Sequence, residues 1–346
     1  MRTPDTCPGA AVVGAGGFIG SHLTAALRAS DMPVAAFTRE RPCLADGVLD
    51  PALRAARTIF YLATTIVPAT AGRDPHRATR DRLAFDALLD ALERDGLRPA
   101  VVLASTGGMV YDASVPRPCD EYVAARGLGE YGQAKRHMEQ SLLWRAGTLK
   151  PVVLRLSNVY GPGQQARAGQ GVVAYWLEAA ATGAVLQLYG DPAAIRDFVY
   201  VDDVVDAMLR LHRISCGPGA RETLASTQVL NIGSGRPVCI SGLLEIVCQA
   251  VGRDLPVERM PRRTTDGADI WLNVGRAARM LGWRPRTDLP TGVLAAWRAH
   301  QLSNTHPPVL DAAPPLLAWD PDPLVLNAAT GTIDFSPPHS SHLETT

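Results

Sequence analysis

Short apolar runs alternate with amphipathic stretches along the first half of the chain. Five runs have the length and apolar character of buried strands: Ala10–Val13, Pro33–Phe37, Thr58–Thr65, Ala100–Ala104 and Pro151–Leu156. Three segments between them carry apolar residues at helical spacing: Ser21–Ser30, Ala78–Arg94 and Tyr131–Arg145. This alternation predicts an α/β fold built on a doubly wound parallel sheet, a Rossmann fold.

Two details refine the expected sheet. Residues 40–56 are poor in strand signal, so one of the usual elements is expected to be missing or abbreviated there. Four leucines of Ala78–Arg94 are expected to face the core: Leu83, Leu88, Leu89 and Leu92.

The second half of the chain has shorter and more mixed elements. We predict helices at Gly171–Thr182, Val204–His212, Ser241–Val251 and Leu289–His300, and strands at Val185–Tyr189 and Val229–Ile232. The chain is therefore expected to have three parts. These are a dinucleotide-binding domain at 1–167, to which part of 190–240 returns, a smaller α/β substrate-binding domain mainly at 168–302, and a Pro-rich tail at 303–346.

Composition limits the class of partner. Of 346 residues 47% are apolar, and 34 basic residues balance 34 acidic ones. Without a net charge to attract a polyanion, neither nucleic acid nor a membrane is an expected partner, and a small-molecule substrate is. No run of eighteen apolar residues and no apolar leader occurs, so we expect a cytoplasmic protein. The six cysteines lack metal-ligand spacing, and no metal is predicted.

A glycine-rich turn joins the first predicted strand to the first helix, with the sequence Gly14-Ala-Gly-Gly-Phe-Ile-Gly20. Glycine permits a sharp turn, a close approach to a pyrophosphate and tight packing of helix on strand, while the helix N-terminus offers N–H groups to the anion. A plain glycine turn is the alternative. The position between strand and helix favours a dinucleotide site, whose expected residues are Gly14, Gly16, Gly17, Phe18, Ile19 and Gly20.

The ends of the next two strands bear on the choice of cofactor. The second strand ends in Thr38-Arg39, where an NAD site commonly offers a carboxylate to the adenosine ribose. A hydroxyl followed by a guanidinium suits a 2′-phosphate better, so NADP(H) is favoured and NAD(H) is the alternative. Leu62 and Ala63, in the third predicted strand, are also expected to contact the cofactor.

Tyr131 and Lys135 are the candidate catalytic pair. Four residues apart on a helix, they share one face and can act on one substrate oxygen. A free phenol has a pKa of about 10, but a nearby lysine cation and a nicotinamide ring favour the phenolate. Ser105 and Thr106 follow an apolar strand, so either hydroxyl could hold the substrate oxygen beside Tyr131.

Six motifs in order resemble the extended short-chain dehydrogenase/reductases, the nucleotide-sugar epimerase/dehydratase family. They cover about residues 11–300: Gly14–Gly20, Ser105–Tyr111, Tyr131-x-x-x-Lys135, Leu154–Pro162, Arg196–Asp203 and Asn231–Gly235. The resemblance implies a nicotinamide cofactor on the first domain, a nucleoside-diphosphate sugar between the domains and a homodimer. It also implies that Tyr131 is the acid/base, that Lys135 binds the nicotinamide ribose, and that Asn158, Arg196 and Arg263 bind the substrate.

Departures from the family pattern bear on the reaction. Gly107 stands three residues before Val110, where many epimerases carry the catalytic hydroxyl, so Thr106, or less readily Ser105, must replace it. No Thr-Asp-Glu of the sugar 4,6-dehydratases is present. Thr38-Arg39 then favours an NADPH-dependent reductase of a nucleotide-linked 4-keto sugar. A nucleotide-sugar 4-epimerase is the alternative, and a non-catalytic dinucleotide sensor is a third class.

Overall fold

The computed structural model describes residues 9–72, 74–111, 114–166, 171–226, 228–262 and 269–305. Its strands are β1 Ala10–Val13, β2 Val34–Phe37, β3 Leu44–Ala45, β4 Val48–Leu49, β5 Thr58–Tyr61, β6 Ala100–Thr106, β7 Lys150–Leu156, β8 Asn158–Tyr160, β9 Leu186–Tyr189, β10 Ile195–Arg196, β11 Phe198–Tyr200, β12 Val229–Ile232, β13 Val238–Cys239 and β14 Val257–Met260. Its helices are α1 Phe18–Ala29, α2 Pro51–Arg54, α3 Pro68–Ala71, α4 Pro75–Arg94, α5 Gly107–Val110, α6 Gly129–Trp144, α7 Val172–Thr182, α8 Val201–Cys216, α9 Ala220–Ser226, α10 Ile240–Val251, α11 Gly275–Leu281 and α12 Leu289–Thr305.

The central element is a six-stranded sheet in the order β2-β1-β5-β6-β7-β12. Every neighbouring pair in it is parallel. Helices cover both faces, because α1 and α8 pack on one side and α4 and α6 on the other. The apolar runs are therefore strands buried on two faces, and the predicted Rossmann fold is confirmed.

The position of the functional crevice follows from the strand order. Chain continuity runs from β1 outward to β2, and then returns to the other side of β1 at β5. At such a reversal the connections leave toward opposite faces, which opens a crevice at the carboxyl ends of the strands. The glycine-rich turn follows β1 and lies at this point.

Several element boundaries differ from the prediction. Leu83 is 39% exposed, whereas Leu88, Leu89 and Leu92 are buried, so its predicted inward position was wrong. The apolar stripe of α4 is narrower than the leucine spacing suggested. β5 ends at Tyr61, well before Thr65, and α12 continues to Thr305, beyond the predicted end at His300.

Two further predictions concern residues 40–56 and the Pro-rich tail. Residues 40–56 form a short antiparallel hairpin of β3 and β4, followed by α2, and so give no strand to the central sheet. Residues 306–346, most of the predicted Pro-rich tail, lie outside the described part of the chain.

The second half contributes a separate apolar cluster and one strand of the central sheet. Helices α7, α10 and α12 enclose a core that includes Trp176, Leu243 and Trp297. β12 pairs with β7 at the edge of the central sheet. The connection between these parts runs past Asp197, whose buried carboxylate accepts hydrogen bonds from the Ser234 and Leu272 backbone at 2.8 and 3.1 Å.

Candidate active site

The glycine turn is shaped as a cradle for a dinucleotide. Gly14 has φ 93°, and a Cβ there would lie 2.7 Å from the Ala63 nitrogen. A Cβ on Gly20 would lie 2.1 Å from the Gly14 carbonyl oxygen. Side chains at these two positions would push β1, β5 and α1 apart. Gly16 and Gly17 are exposed and α1 starts at Phe18, so the turn presents bare backbone and a helix N-terminus, as a pyrophosphate requires.

Leu62 and Ala63 line the same crevice. The Leu62 N–H donates to the Val13 carbonyl at 2.8 Å, which fixes the chain after β5 beside the glycine turn. Ala63 is the residue whose backbone approaches Gly14. Phe18 and Ile19 form the half-buried first turn of α1. The predicted cofactor residues of β1, α1 and β5 are therefore brought together in one place.

Thr38 and Arg39 lie across the glycine turn. The Thr38 methyl group would be 3.7 Å from a Cβ on Gly16, and Arg39 is exposed. The Thr38 hydroxyl donates to the Glu40 carboxylate at 2.7 Å. Glu40 was not predicted as a site residue, because only the structure shows that the chain turns back here, with the Thr38 N–H donating to the Arg41 carbonyl at 3.0 Å. A guanidinium and a carboxylate are thus both available where the adenosine ribose is expected.

Tyr131 and Lys135 lie on α6 with the lysine Nζ 6.0 Å from the centre of the tyrosine ring. Lys135 is 5% exposed, and its ammonium donates to the Ala104 carbonyl of β6 at 3.1 Å. Burial lowers the pKa of Lys135, and the charges of Asp81 and Glu139 oppose that shift. The lysine is therefore held at the carboxyl end of β6, one helical turn from the phenol.

The surroundings of Tyr131 favour the neutral phenol. Burial raises its pKa to about 12, and the charge of Asp81 contributes in the same direction. The ring packs against the apolar cluster of Ile66, Ala71, Ala78 and Ala134. From the sequence we expected a lowered pKa for Tyr131. That expectation included the positive charge of a bound nicotinamide ring, whereas the raised pKa is that of the protein alone.

The two candidate hydroxyl residues, Ser105 and Thr106, have different surroundings in the structure. Ser105 is 5% exposed, and its hydroxyl donates to the Glu139 carboxylate. Thr106 is half-buried, precedes α5 as its N-cap residue and does not cap that helix with its side chain. Gly107 has no hydroxyl, and a Cβ there would lie 2.7 Å from the end of the Leu272 side chain, which would have to move. Of the three positions, Thr106 has the hydroxyl that remains available to a substrate.

A buried polar network lies behind Ser105. Glu139 and Arg155 form an ion pair at 2.8 Å with 3% and 6% of their side chains exposed. Arg155 also donates to the Tyr111 hydroxyl at 2.9 Å, which in turn donates to Asn231 at 2.8 Å. This network was not predicted from the sequence. The available signals were an arginine inside the apolar strand β7 and a glutamate one turn after Lys135 on α6.

Asp81 is a second buried acid that the sequence argument missed. It is 8% exposed, and its carboxylate accepts hydrogen bonds from the Thr64 hydroxyl and from the Thr65 N–H, both at 2.7 Å. The Thr65 hydroxyl donates to its other oxygen at 2.6 Å. This clamp explains why β5 stops early, since Thr64 and Thr65 turn toward α4 rather than along the sheet.

The predicted substrate residues are partly described. The Asn158 amide donates to the Asp197 carbonyl at 2.9 Å, which places Asn158 beside the residue that follows Arg196. Arg196 is half-buried on β10 and donates to the Ile195 carbonyl at 2.7 Å. Arg263 lies outside the described residues.

Together, the glycine cradle at the sheet reversal and the tyrosine–lysine pair at the same edge define a nicotinamide-dependent protein of the short-chain dehydrogenase/reductase class. A model of the NAD dependent epimerase/dehydratase family matches residues 10–220. The chain belongs to this family.

Individual relatives differ in reaction. The chain is 31% identical to a UDP-glucose 4-epimerase of Mycolicibacterium smegmatis over 68% of this chain and 73% of that protein. It is 30% identical to the dTDP-6-deoxy-L-talose 4-dehydrogenase (NAD(P)(+)) of Kitasatospora kifunensis over 86% and 98%, respectively. The structure resembles that of the Thermotoga maritima UDP-glucose 4-epimerase with UDP-glucose, with TM-score 0.74, 26% identity, and coverage of 86% and 99%.

Two observations concern membranes and metals. Among the helices that the structure describes, none has the length and apolar character needed to cross a bilayer. Within the same residues, no group of three or more His, Cys, Asp or Glu side chains is placed to hold a metal ion.

Proposed function

We propose that the protein reduces a nucleoside-diphosphate 4-keto (deoxy)sugar at C4 with NADPH. The observation that carries the proposal is the half-buried Tyr131 on α6, with Lys135 one helical turn away and the Thr106 hydroxyl at the edge of the sheet. Burial raises the pKa of Tyr131 to about 12, which favours the neutral phenol. A reduction begins with a proton donor, and a neutral phenol is one. The relative that acts as a 4-dehydrogenase with NAD(P)(+) supports redox chemistry at this carbon.

Each residue then has a defined task. The nicotinamide, when bound, supplies the hydride. Tyr131 donates its proton to the carbonyl oxygen as that oxygen gains negative charge, and Thr106 orients the oxygen by a hydrogen bond. The Lys135 ammonium stabilises the phenolate that results, and a proton from solvent restores the phenol. Arg196 and Arg263 hold the diphosphate, and Asn158 binds the substrate near Arg196.

A nucleotide-sugar 4-epimerase is the second candidate. Glu40 favours it, because a carboxylate beside the Thr38 hydroxyl can accept hydrogen bonds from the ribose of NAD. Such an enzyme retains its nucleotide and returns the hydride to the same sugar. Release of stoichiometric NAD from the denatured protein, together with interconversion of UDP-glucose and UDP-galactose, would overturn the reductase. Oxidation of added NADPH by a dTDP-linked 4-keto-6-deoxyhexose would support it.

The Arg39→Ala variant tests the choice of NADPH. We expect its Kd for NADPH to rise about 10- to 100-fold, because a charge-assisted hydrogen bond to the 2′-phosphate is lost, and its Kd for NADH to stay within about twofold. Fluorescence titration of both nucleotides measures this. Arg41→Ala is the matched control, since Arg41 stacks on Phe37 at 5.2 Å. Equal losses for both nucleotides would remove the 2′-phosphate role.

The same proposal includes a homodimer, which the family resemblance implies, and a cytoplasmic location, which the sequence led us to expect. α4 and α6 pack together on one face of the sheet, and Trp144 at the end of α6 is 91% exposed. A large exposed aromatic side chain is typical of an interaction surface. The mass of the protein in solution tests this part.

A further inference from the structure

Asp81 is a buried carboxylate to which the proposed proton transfer gives no role. It lies on α4, and the three hydrogen bonds from Thr64 and Thr65 satisfy it. The field of a buried carboxylate acts in an environment of low dielectric constant. The effect of the Asp81 carboxylate therefore depends on which groups lie close to it.

Asp81 lies next to the apolar cluster that packs around the Tyr131 ring. Ala78, one turn earlier on α4, belongs to the buried cluster that packs around the Tyr131 ring. Residues three apart share one helix face, so Asp81 points to the same side as Ala78. The loop that Asp81 holds also ends in Ile66, another member of that cluster. Through its own helix α4 and through the loop that carries Thr64 and Thr65, Asp81 thus helps to position the residues that pack around Tyr131.

The charged groups around Tyr131 have opposite signs. Within the described residues, α4 contributes Asp81, α6 contributes Lys135, and the packed residues of α3 and the loop are apolar. Burial lowers the pKa of Lys135, and the charges of Asp81 and Glu139 oppose that shift. Burial raises the pKa of Tyr131, and the charge of Asp81 adds to that shift. One carboxylate therefore favours the protonated state of both members of the pair.

We propose that Asp81 is a positioning residue that holds the catalytic pair as neutral phenol and ammonium, and so biases the site toward donating a proton to a substrate oxygen. The inference rests on the proposed reductase function, because only the reductive direction begins with the protonated phenol. Each turnover moves the phenol proton to the carbonyl oxygen while the carbon accepts the hydride. Asp81 then destabilises the phenolate left behind and favours its reprotonation by water.

The test is a direct titration of Tyr131 that does not depend on turnover. Tyrosinate absorbance is followed against pH with saturating NADP⁺, and the curve of the Tyr131→Phe variant is subtracted. In Asp81→Asn the Tyr131 midpoint should fall by about one pH unit or more, because an anion next to the phenol has been removed. Asp81→Glu keeps the charge and should restore most of the parent midpoint, although its hydrogen bonds to Thr64 and Thr65 change.

Asp86→Asn is the matched control. Asp86 lies on the same helix and accepts a hydrogen bond from Ser141 of α6, so it links the same two helices. The Tyr131 midpoint should not move in this variant. If Asp81→Asn fails to fold, Asp81→Ser removes the same charge and keeps a hydroxyl acceptor for the Thr65 N–H.

The outcomes separate this inference from the proposed function. The proposed role of the Asp81 charge would be overturned if the Tyr131 midpoint in Asp81→Asn equalled that of the parent protein. It would also be overturned if the midpoint fell as much in Asp81→Glu as in Asp81→Asn. Failure of the parent protein to bind NADP⁺ would instead contradict the reductase. The comparison of Asp81 variants would then be made on the unliganded protein by ¹³C NMR of ζ-labelled tyrosine, where the same fall is expected.

Discussion

Replacing Tyr131 by phenylalanine is expected to lower kcat for the active nucleotide sugar by about 10²- to 10⁴-fold, the usual contribution of a general acid. The variant loses only the hydroxyl group. Its ring still packs against Ile66, Ala71, Ala78 and Ala134, so the fold and the glycine cradle stay intact. The Kd for NADPH should therefore change by less than about twofold, while kcat and kcat/KM fall together. Steady-state rates and nucleotide titration measure both.

The matched control is Tyr122→Phe. Tyr122 is 75% exposed, and its ring packs beneath the Arg276 guanidinium at 5.0 Å, so loss of its hydroxyl should leave turnover unchanged. If Tyr131→Phe turned over every active substrate as fast as the parent, Tyr131 would not be the acid. Binding of NADPH with no turnover of any nucleotide sugar by the parent would favour the third class, a protein that binds the dinucleotide without catalysis.

The sequence predicted the sheet well because parallel strands buried on both faces leave a strong local signal. Each of the five runs corresponds to one strand of the central sheet, and β12 joins them as the sixth. The wrong prediction for Leu83 arises from the way α4 packs. A leucine count does not define the width of a helix stripe, since that width depends on how closely α6 and the sheet approach α4.

The candidate site divides along similar lines. Glycines, Tyr131 and Lys135 could be found because their spacing along the chain reflects a local geometry. Asp81 and Glu139 could not, because a buried acid is recognised by its partners. Those partners are 17 residues away for Thr64 and 16 residues away for Arg155. A charged residue in an amphipathic helix is solvated far more often than buried, so the sequence alone favoured the wrong environment for both.

Glu40 illustrates a third kind of limit. It adjoins the predicted Thr38-Arg39, and its identity was plain in the sequence. Only the hydrogen bond from the Thr38 hydroxyl shows that its carboxylate lies beside Thr38. In the proposed function, the choice between NADPH and NADH therefore depends on whether Arg39 or Glu40 is the stronger contact, and the Arg39→Ala variant tests this.

The largest effect on stability is expected from Arg155→Met. The substitution leaves the Glu139 carboxylate buried with Ser105 as its remaining partner, and it removes a donor from the Tyr111 hydroxyl. Loss of one member of a buried ion pair costs about 3–5 kcal/mol, because the other charge stays desolvated. Urea denaturation should show this loss in the free energy of unfolding with an unchanged m-value.

Two further variants show whether the loss arises from the stranded charge. Arg82→Met breaks an ion pair with Asp86 on the same face of the sheet as Glu139, but Arg82 is 40% exposed. Its effect should be below about 1 kcal/mol. The double variant Glu139→Leu/Arg155→Met removes both charges and should recover much of the loss seen in Arg155→Met alone. If the loss in the double variant equalled the sum of the losses in Arg155→Met and in the single variant Glu139→Leu, the network would stabilise the fold through packing rather than through charge pairing.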